Sequence, residues 1–143
     1  MSSALRILLA EDNPGDVYLV EEALKRQSLA HELTVVNDGD RAWKSIEAAE
    51  NSEARGFDLF MFDLNLPARP GLELLARIRR SRGKISKAPV VIVTSSNSMK
   101  DRTAAAWGGA DYYFCKPLKL DEFLKLGPII EKLWLASAPK QPA

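Results

Sequence analysis

Phe57-Asp58-Leu59-Phe60-Met61-Phe62-Asp63-Leu64-Asn65-Leu66-Pro67 is an apolar, aromatic-rich run that ends in a carboxylate and turns at a proline. A run of this kind reads as a strand buried on both faces, as in a parallel sheet covered by helices. It delivers Asp63 to the carboxyl end of the strand, where ligands bind in open α/β sheets. One acid is thus raised on a rigid hydrophobic stem to a reactive edge. Its neighbours on that edge decide what it can do.

Upstream, Leu5-Arg6-Ile7-Leu8-Leu9-Ala10 is a second buried run, ending in Glu11-Asp12. Asn13-Pro14-Gly15-Asp16 is turn material, and Pro14 or Asp16 opens a helix marked by Val17, Leu19, Val20, Ala23 and Leu24. His31 and Glu32 lead into the β-branched strand Leu33-Thr34-Val35-Val36. Asn37-Asp38-Gly39-Asp40 is a turn with Asp40 as the expected N-cap, followed by a helix through Ala42, Trp43, Ile46 and Ala49. Residues 51–56 read as a surface loop.

Downstream of the central run, Leu72, Leu74, Leu75 and Ile78 mark a third helix. Pro89-Val90-Val91-Ile92-Val93 is another two-sided buried strand, running into Thr94-Ser95. The segment Ser98 to Trp107 reads as a weakly hydrophobic helix closed by Gly108-Gly109. Asp111-Tyr112-Tyr113-Phe114-Cys115 is a fifth strand that ends in Lys116-Pro117. The last helix runs from Leu120 to Leu135, and Gly127-Pro128 inside it predicts a kink or break. Strand and helix alternate about five times, which predicts an α/β fold with a parallel sheet, helices on both faces and right-handed crossovers.

The 143 residues suit one domain, with a core over about 5–136 and a disordered tail over 137–143. The net charge of +1 provides no global field for nucleic acid or a membrane surface. No stretch approaches the ~18 apolar residues of a membrane span, and no signal-peptide core precedes the first strand. Cys115 is the only cysteine, so no intrachain disulfide can form. It is expected to act as a small buried hydrophobe, and a cytoplasmic location is expected.

Four of the five strands end in a polar or charged group: Glu11-Asp12, Asp63, Thr94 and Lys116. Parallel strands share one carboxyl edge, so these groups converge. Three carboxylates in one cleft repel unless something positive lies between them. A hard cation with oxygen ligands fits, and Mg²⁺ fits best, with Mn²⁺ as a substitute. The Thr94 hydroxyl and the Lys116 ammonium suit a tetrahedral anion beside that metal. This chemistry is phosphoryl transfer to Asp63, with the metal and Lys116 neutralising charge on the phosphoryl oxygens.

Glu11-Asp12, Asp63-Leu64-Asn65-Leu66-Pro67 with Gly71, Val93-Thr94-Ser95 and Lys116-Pro117 together resemble the receiver domain of two-component response regulators. The likeness spans about residues 5–136. It implies a flavodoxin-like (βα)5 doubly wound sheet of order 2-1-3-4-5. It implies Asp63 as phosphoacceptor and Asp12 and Asp63 as Mg²⁺ ligands. Glu11 would act largely through water, and Asn65 through its backbone carbonyl. Thr94 and Lys116 would hold phosphate oxygens, Tyr113 would be the aromatic switch, and Asn65 and Ser96 would tune dephosphorylation.

Glu11-Asp12-Asn13-Pro14-Gly15-Asp16 and the terminal Ile130-Glu131-Lys132-Leu133-Trp134-Leu135 further resemble stand-alone receivers that partner bacterial phytochromes. The resemblance therefore implies a sensor histidine kinase as phosphodonor and a downstream protein partner. It also implies a homodimer face formed by the fourth helix, fifth strand and last helix, with no nucleic acid, no membrane and no DNA-binding output module. Such a protein is not an enzyme beyond its own Mg²⁺-dependent phosphorylation and dephosphorylation. Pro70 stands where many family members carry Asp, which implies a changed loop with the chemistry retained.

Three rivals are weaker. A flavodoxin-like binding module would need a Gly- and hydroxyl-rich phosphate cradle, which the loop after the first strand lacks. An aspartyl-phosphate hydrolase usually needs a second acid where Asn65 stands. A degenerate receiver, acting as a phosphorylation-independent interaction module, would not need the full set of acids, hydroxyl and lysine. The basic run Arg77, Arg79, Arg80, Arg82, Lys84, Lys87 is expected to be a solvated face, and His31 a loop residue. Trp134 is equally compatible with core packing and with a partner surface.

Overall fold

The computed structural model describes residues 4–51 and 56–137. Its strands are β1 (Leu5–Ala10), β2 (His31–Val36), β3 (Leu59–Phe62), β4 (Val90–Thr94) and β5 (Tyr112–Cys115). They pair in parallel in the order β2-β1-β3-β4-β5. The helices are α1 (Pro14–Lys25), α2 (Gly39–Glu50), α3 (Gly71–Arg79), α4 (Met99–Gly108), α5 (Leu120–Phe123) and α6 (Leu126–Ser137). A short 3-10 helix over Gly83–Lys87 precedes β4 and was not foreseen from the sequence. The flavodoxin-like sheet order is thus borne out.

The continuous apolar runs are explained by two hydrophobic layers, one on each sheet face. Leu8, Phe60, Phe62, Val90 and Ile92 pack with Ala42, Ile46, Leu74, Leu75, Ile78 and Ala105 of α2, α3 and α4. Ile7, Leu9, Leu59, Met61, Val91 and Val93 pack with Val20, Ala23 and Leu24 of α1, and with Phe123, Leu126 and Ile130 beyond β5. Alternate residues of each central strand therefore serve opposite layers, and neither face tolerates a polar side chain. Trp134 is half-buried against the second layer.

Several local expectations shift. Asp38, not Asp40, caps α2 by accepting from the Arg41 N–H at 2.7 Å. β2 begins at His31, so that residue lies in the sheet and not in a loop. The final helix does break, but at Leu124 and Lys125, two residues ahead of Gly127. Pro128 then falls in the first turn of α6, where its missing N–H would have had no helical acceptor. Gly127 is needed because a Cβ there would stand 2.5 Å from the Ala23 carbonyl oxygen of α1. Cys115 is half-exposed on edge strand β5, not buried, because only one strand flanks it. Ser137 closes α6 where a disordered tail was expected to begin, and residues 52–55 and 138–143 lie outside the described residues.

The basic run is also more than a solvated face. Arg79 spends all five guanidinium N–H groups on the carbonyls of Gly109, Ser86 and Ala88 and on the Asp111 carboxylate. It fastens α3 to the loops on either side of β4 and α4. Arg77 pairs with Glu50 at 2.8 Å, both side chains only 11% exposed, and ties α2 to α3.

That pair has a pH signature. The Arg77 guanidinium first, and then the Arg82 backbone N–H, hold the Glu50 carboxyl down from 4.5 to about 2. A carboxyl lowered on folding stabilises the protein above its unfolded value. The contribution is then lost as pH falls through the folded value. Glu50→Gln should therefore be less stable than wild type near neutral pH. The difference should close between 4.5 and about 2, as read by urea unfolding at stepped pH.

Candidate functional site

The sheet register brings the polar strand ends to one edge. Backbone ladder bonds continue past each strand and fix the site residues: Glu11 N–H to Val36 O at 3.0 Å, Asp63 N–H to Ala10 O at 3.1 Å and Lys116 N–H to Thr94 O at 2.7 Å. Each functional side chain thus starts from a backbone held by its neighbouring strand.

At the end of β3 a glycine is required by space. A Cβ on Gly71 would stand 2.2 Å from the Asp63 carbonyl oxygen. The Gly71 N–H donates to Leu64 O at 3.0 Å, so α3 starts directly against the acid's own backbone. Pro70 enters α3 with φ −70°, and the turn before it places Ala68 in the left-handed region at φ 72°. On the other side of the edge, Asn13 caps α1 by accepting from the N–H groups of Gly15 and Asp16 at 2.9 and 3.2 Å. Its own N–H donates to Glu11 Oε2 at 3.1 Å.

Lys116 lies at the centre. Its ammonium contacts Glu11 Oε1 at 2.7 Å, Asp16 Oδ2 at 2.7 Å and Asp63 Oδ2 at 2.9 Å. The Lys116 side chain is 8% exposed and that of Glu11 1%. Burial alone would push the lysine below its ordinary range. Bonds to Asp16, Glu11 and Asp63 outweigh it and hold the ammonium above the ordinary lysine range. Glu11 is also raised, but there burial prevails: it lifts the carboxyl, and the bonds from Lys116 and the Asn13 N–H only partly offset this.

Glu11, Asp12 and Asp63 each offer an oxygen, and the three oxygens lie within 4.8 Å of one another. Asp12 is exposed, so the group opens to solvent on one side. Oxygen-only donors around an open position suit a hard divalent cation that keeps some of its water, so these residues fit such an ion.

Of the other expected residues, Asn65 bonds directly to this group, and Thr94, Ser96 and Tyr113 form a linked set of their own. Thr94 is fully buried at the end of β4, and its Oγ1 accepts from the Ser96 N–H at 3.4 Å. Exposed Asn65 donates its backbone N–H to Asp63 Oδ1 at 3.2 Å. The Ser96 hydroxyl is turned toward the start of α4, on Asp101 and Ser98, not toward the acids. The Tyr113 hydroxyl donates to Ser96 O at 2.9 Å, with the Arg102 guanidinium 4.7 Å over its ring. The residue missed by sequence reasoning is Asp16. It was read as a helix opener, and nothing in its spacing foretold a contact with Lys116, 100 residues away.

With this geometry in hand, comparison with known proteins is informative. The profile of the response regulator receiver domain matches residues 7–126. Response regulator Rcp1 of Synechocystis sp. is 34% identical over 130 residues, covering 90% of this chain and 88% of Rcp1. The crystal structure of the phosphorylated cyanobacterial phytochrome response regulator RcpA superposes with TM-score 0.82 at 31% identity, covering 96% of this chain and 98% of that one. The Mn²⁺-bound form of Rcp1 gives TM-score 0.79 at 33% identity, covering 96% and 99%.

The charge balance predicts how the site answers to loss of its cation. Lys116→Met leaves the buried carboxylates of Glu11 and Asp63 without their shared cation, each with one backbone N–H as its remaining partner, so the metal-free protein should lose on the order of 3 kcal/mol. A divalent cation held by the acid group would supply the missing charge, so added Mg²⁺ or Mn²⁺ should restore more stability to the variant than to wild type. Thermal melts in chelator and with each ion check this.

Proposed function

The chain belongs to the response regulator receiver domain family, and on that premise we propose that it is a phosphorylation-controlled switch with Asp63 as phosphoacceptor. The observation that carries this reading is the Lys116 ammonium, held at 2.9 Å from Asp63 and 2.7 Å from Glu11 beside exposed Asp12. A nucleophilic carboxylate, a fixed cation and an open acid group stand together at the sheet edge, with the Thr94 hydroxyl at the neighbouring strand end.

The donor we infer is the phosphohistidine of a sensor histidine kinase, of the phytochrome class by likeness to RcpA. A carboxylate oxygen of Asp63 attacks phosphorus, a P–O bond forms, and the P–N bond breaks with its electron pair returning to the imidazole. Bound at Glu11, Asp12 and Asp63, with the Asn65 carbonyl, a Mg²⁺ ion would neutralise charge on the phosphoryl oxygens. Lys116 follows the negative charge as it moves from Asp63 to the phosphoryl group. Thr94 donates a hydrogen bond from its hydroxyl to another phosphoryl oxygen. The chain turns over no external substrate in this reading. Its chemistry is gain and loss of its own phosphoryl group, with Asn65 and Ser96 setting the rate of loss.

Output follows from a short chain of bonds. Drawing Thr94 toward the phosphoryl moves the Ser96 backbone, whose N–H now donates to Thr94 Oγ1 and whose carbonyl accepts from Tyr113, and the Tyr113 hydroxyl loses its acceptor. The face around Tyr113 is lined by Arg102, Ala105 and Ala106 of α4 and by Tyr112 of β5. It carries Trp107 at 86% exposure and Tyr112 at 42%, and we assign to it the downstream protein partner or a second copy of the chain.

Incubation with Mg²⁺ and a small phosphodonor, read by intact mass, tests the reading. Wild type should gain one phosphoryl group, and Asp63→Asn or chelator should abolish the gain. An unmodified wild type would favour a phosphorylation-independent interaction module.

A further inference from the structure

We infer that Asp16 is a positioning residue for phosphoryl acceptance: it tethers the Lys116 ammonium while the other partners of that group change. The inference rests on the receiver reading above and deepens it. An ammonium has three N–H donors, and here three carboxylates take them, Glu11 and Asp16 at 2.7 Å and Asp63 at 2.9 Å. Glu11 and Asp63 also belong to the acid group that fits a divalent cation. Asp63 further gives up its negative charge when it becomes an acyl phosphate. Asp16 alone among the three keeps both its charge and its geometry through the reaction.

Its backbone is built for that constancy. Asp16 lies in the first turn of α1, its N–H bound by the Asn13 side chain, and the next residue's N–H is bound by Asn13 O. An acid in a first helical turn is common for its favourable interaction with the helix dipole. That role needs no particular partner. The Asp16 carboxylate instead reaches the Lys116 ammonium, whose side chain is 8% exposed, from the rim of the cleft, where Asp16 itself is 22% exposed. Lys116 stands on the loop after edge strand β5, with no strand beyond it. Once Asp63 is esterified, the contact to α1 keeps the ammonium at phosphoryl distance instead of letting it turn out to solvent.

The test uses Asp16→Ala and Asp16→Glu in the full chain, each also in a Lys116→Ala background, with thermal melts confirming the fold. Asp16→Ala should slow phosphoryl uptake from a small donor about tenfold, the worth of one charge-assisted hydrogen bond. Asp16→Glu should recover most of that loss. With Lys116→Ala in place, Asp16→Ala should change nothing further, because the two act as one unit. A second readout needs no phosphoryl transfer: the Lys116 ammonium resonance in an isotope-labelled sample. It should be sharp in wild type and broadened by solvent exchange in Asp16→Ala. An unchanged ammonium resonance in Asp16→Ala overturns the inference, and so does a full additional loss on Lys116→Ala. Absence of phosphoryl uptake by wild type would instead sink the receiver reading, while the resonance would still decide the role of Asp16.

Discussion

One ammonium group faces four carboxylates at the carboxyl edge of this sheet. Glu11, Asp16 and Asp63 touch it, and Asp12 stands beside them in the open acid group. Buried like charges at such distances cost several kcal/mol at the low effective dielectric of a protein interior. Lys116 removes part of that cost and no more. The remaining negative charge is what makes the edge a place for a divalent cation, and a cation is what lets a phosphoryl group approach an acid that would otherwise repel it. The ammonium therefore sets the state of the site before any ligand arrives. It keeps the acids together without satisfying them.

The fold exists to hold that imbalance still. Strands buried on both faces cannot slide, because a shift by one residue would exchange the two apolar layers. The ends of β1, β3, β4 and β5 are consequently fixed relative to one another, and the site residues inherit the alignment through ladder bonds from Val36, Ala10 and Thr94. Gly71 and Gly39 draw the loop after β3 inward. A Cβ at Gly39 would stand 2.2 Å from Arg69 O, as close as one at Gly71 would stand to Asp63 O. Both glycines are therefore demanded by the proximity of backbone to backbone, and the loop that carries Asn65 is pinned at both ends.

What the sequence made legible follows from which signals are local. The runs at β1, β3 and β4 announce themselves because two-sided burial leaves Arg6, near the start of β1, as the one polar residue before their ends, and the terminal Glu11, Asp63 and Thr94 stand out by contrast. The strand order came from the family likeness and not from periodicity. Asp16 and Arg79 were opaque for one shared reason. Their roles depend on partners that the crossovers bring close, Lys116 for the first and the carbonyls of Ser86, Ala88 and Gly109 for the second. A charged residue on a helix gives no sign of which way its side chain will turn. Asp38 and Asp40 were confused because both suit a helix start, and only the Arg41 N–H decides between them. The break ahead of Gly127-Pro128 was placed two residues late because proline is tolerated throughout the first helical turn.

The same contrast between local and distant partners bears on how a switch can be built here. Ser96 is bonded on both sides, its N–H to Thr94 and its carbonyl to the Tyr113 hydroxyl, so buried Thr94 and half-buried Tyr113 are two ends of one short linkage. A neutral hydrogen bond of this kind is worth about 0.5–1.5 kcal/mol, and allosteric coupling is typically about 1–3 kcal/mol. The linkage is thus weak enough to be broken by a charged group that recruits the Thr94 hydroxyl, and strong enough to bias Tyr113 while it lasts. Arg102 over the tyrosine ring adds a second hold on the present position, on the same side as Asp111 and Tyr112. In the proposed switch, then, the ring is not free in the resting state. It is held by contacts that all belong to α4 and the loop before it, the part of the fold that phosphorylation would pull. A face governed in this way changes by exchanging one small set of bonds for another, while the two apolar layers behind it stay as they are.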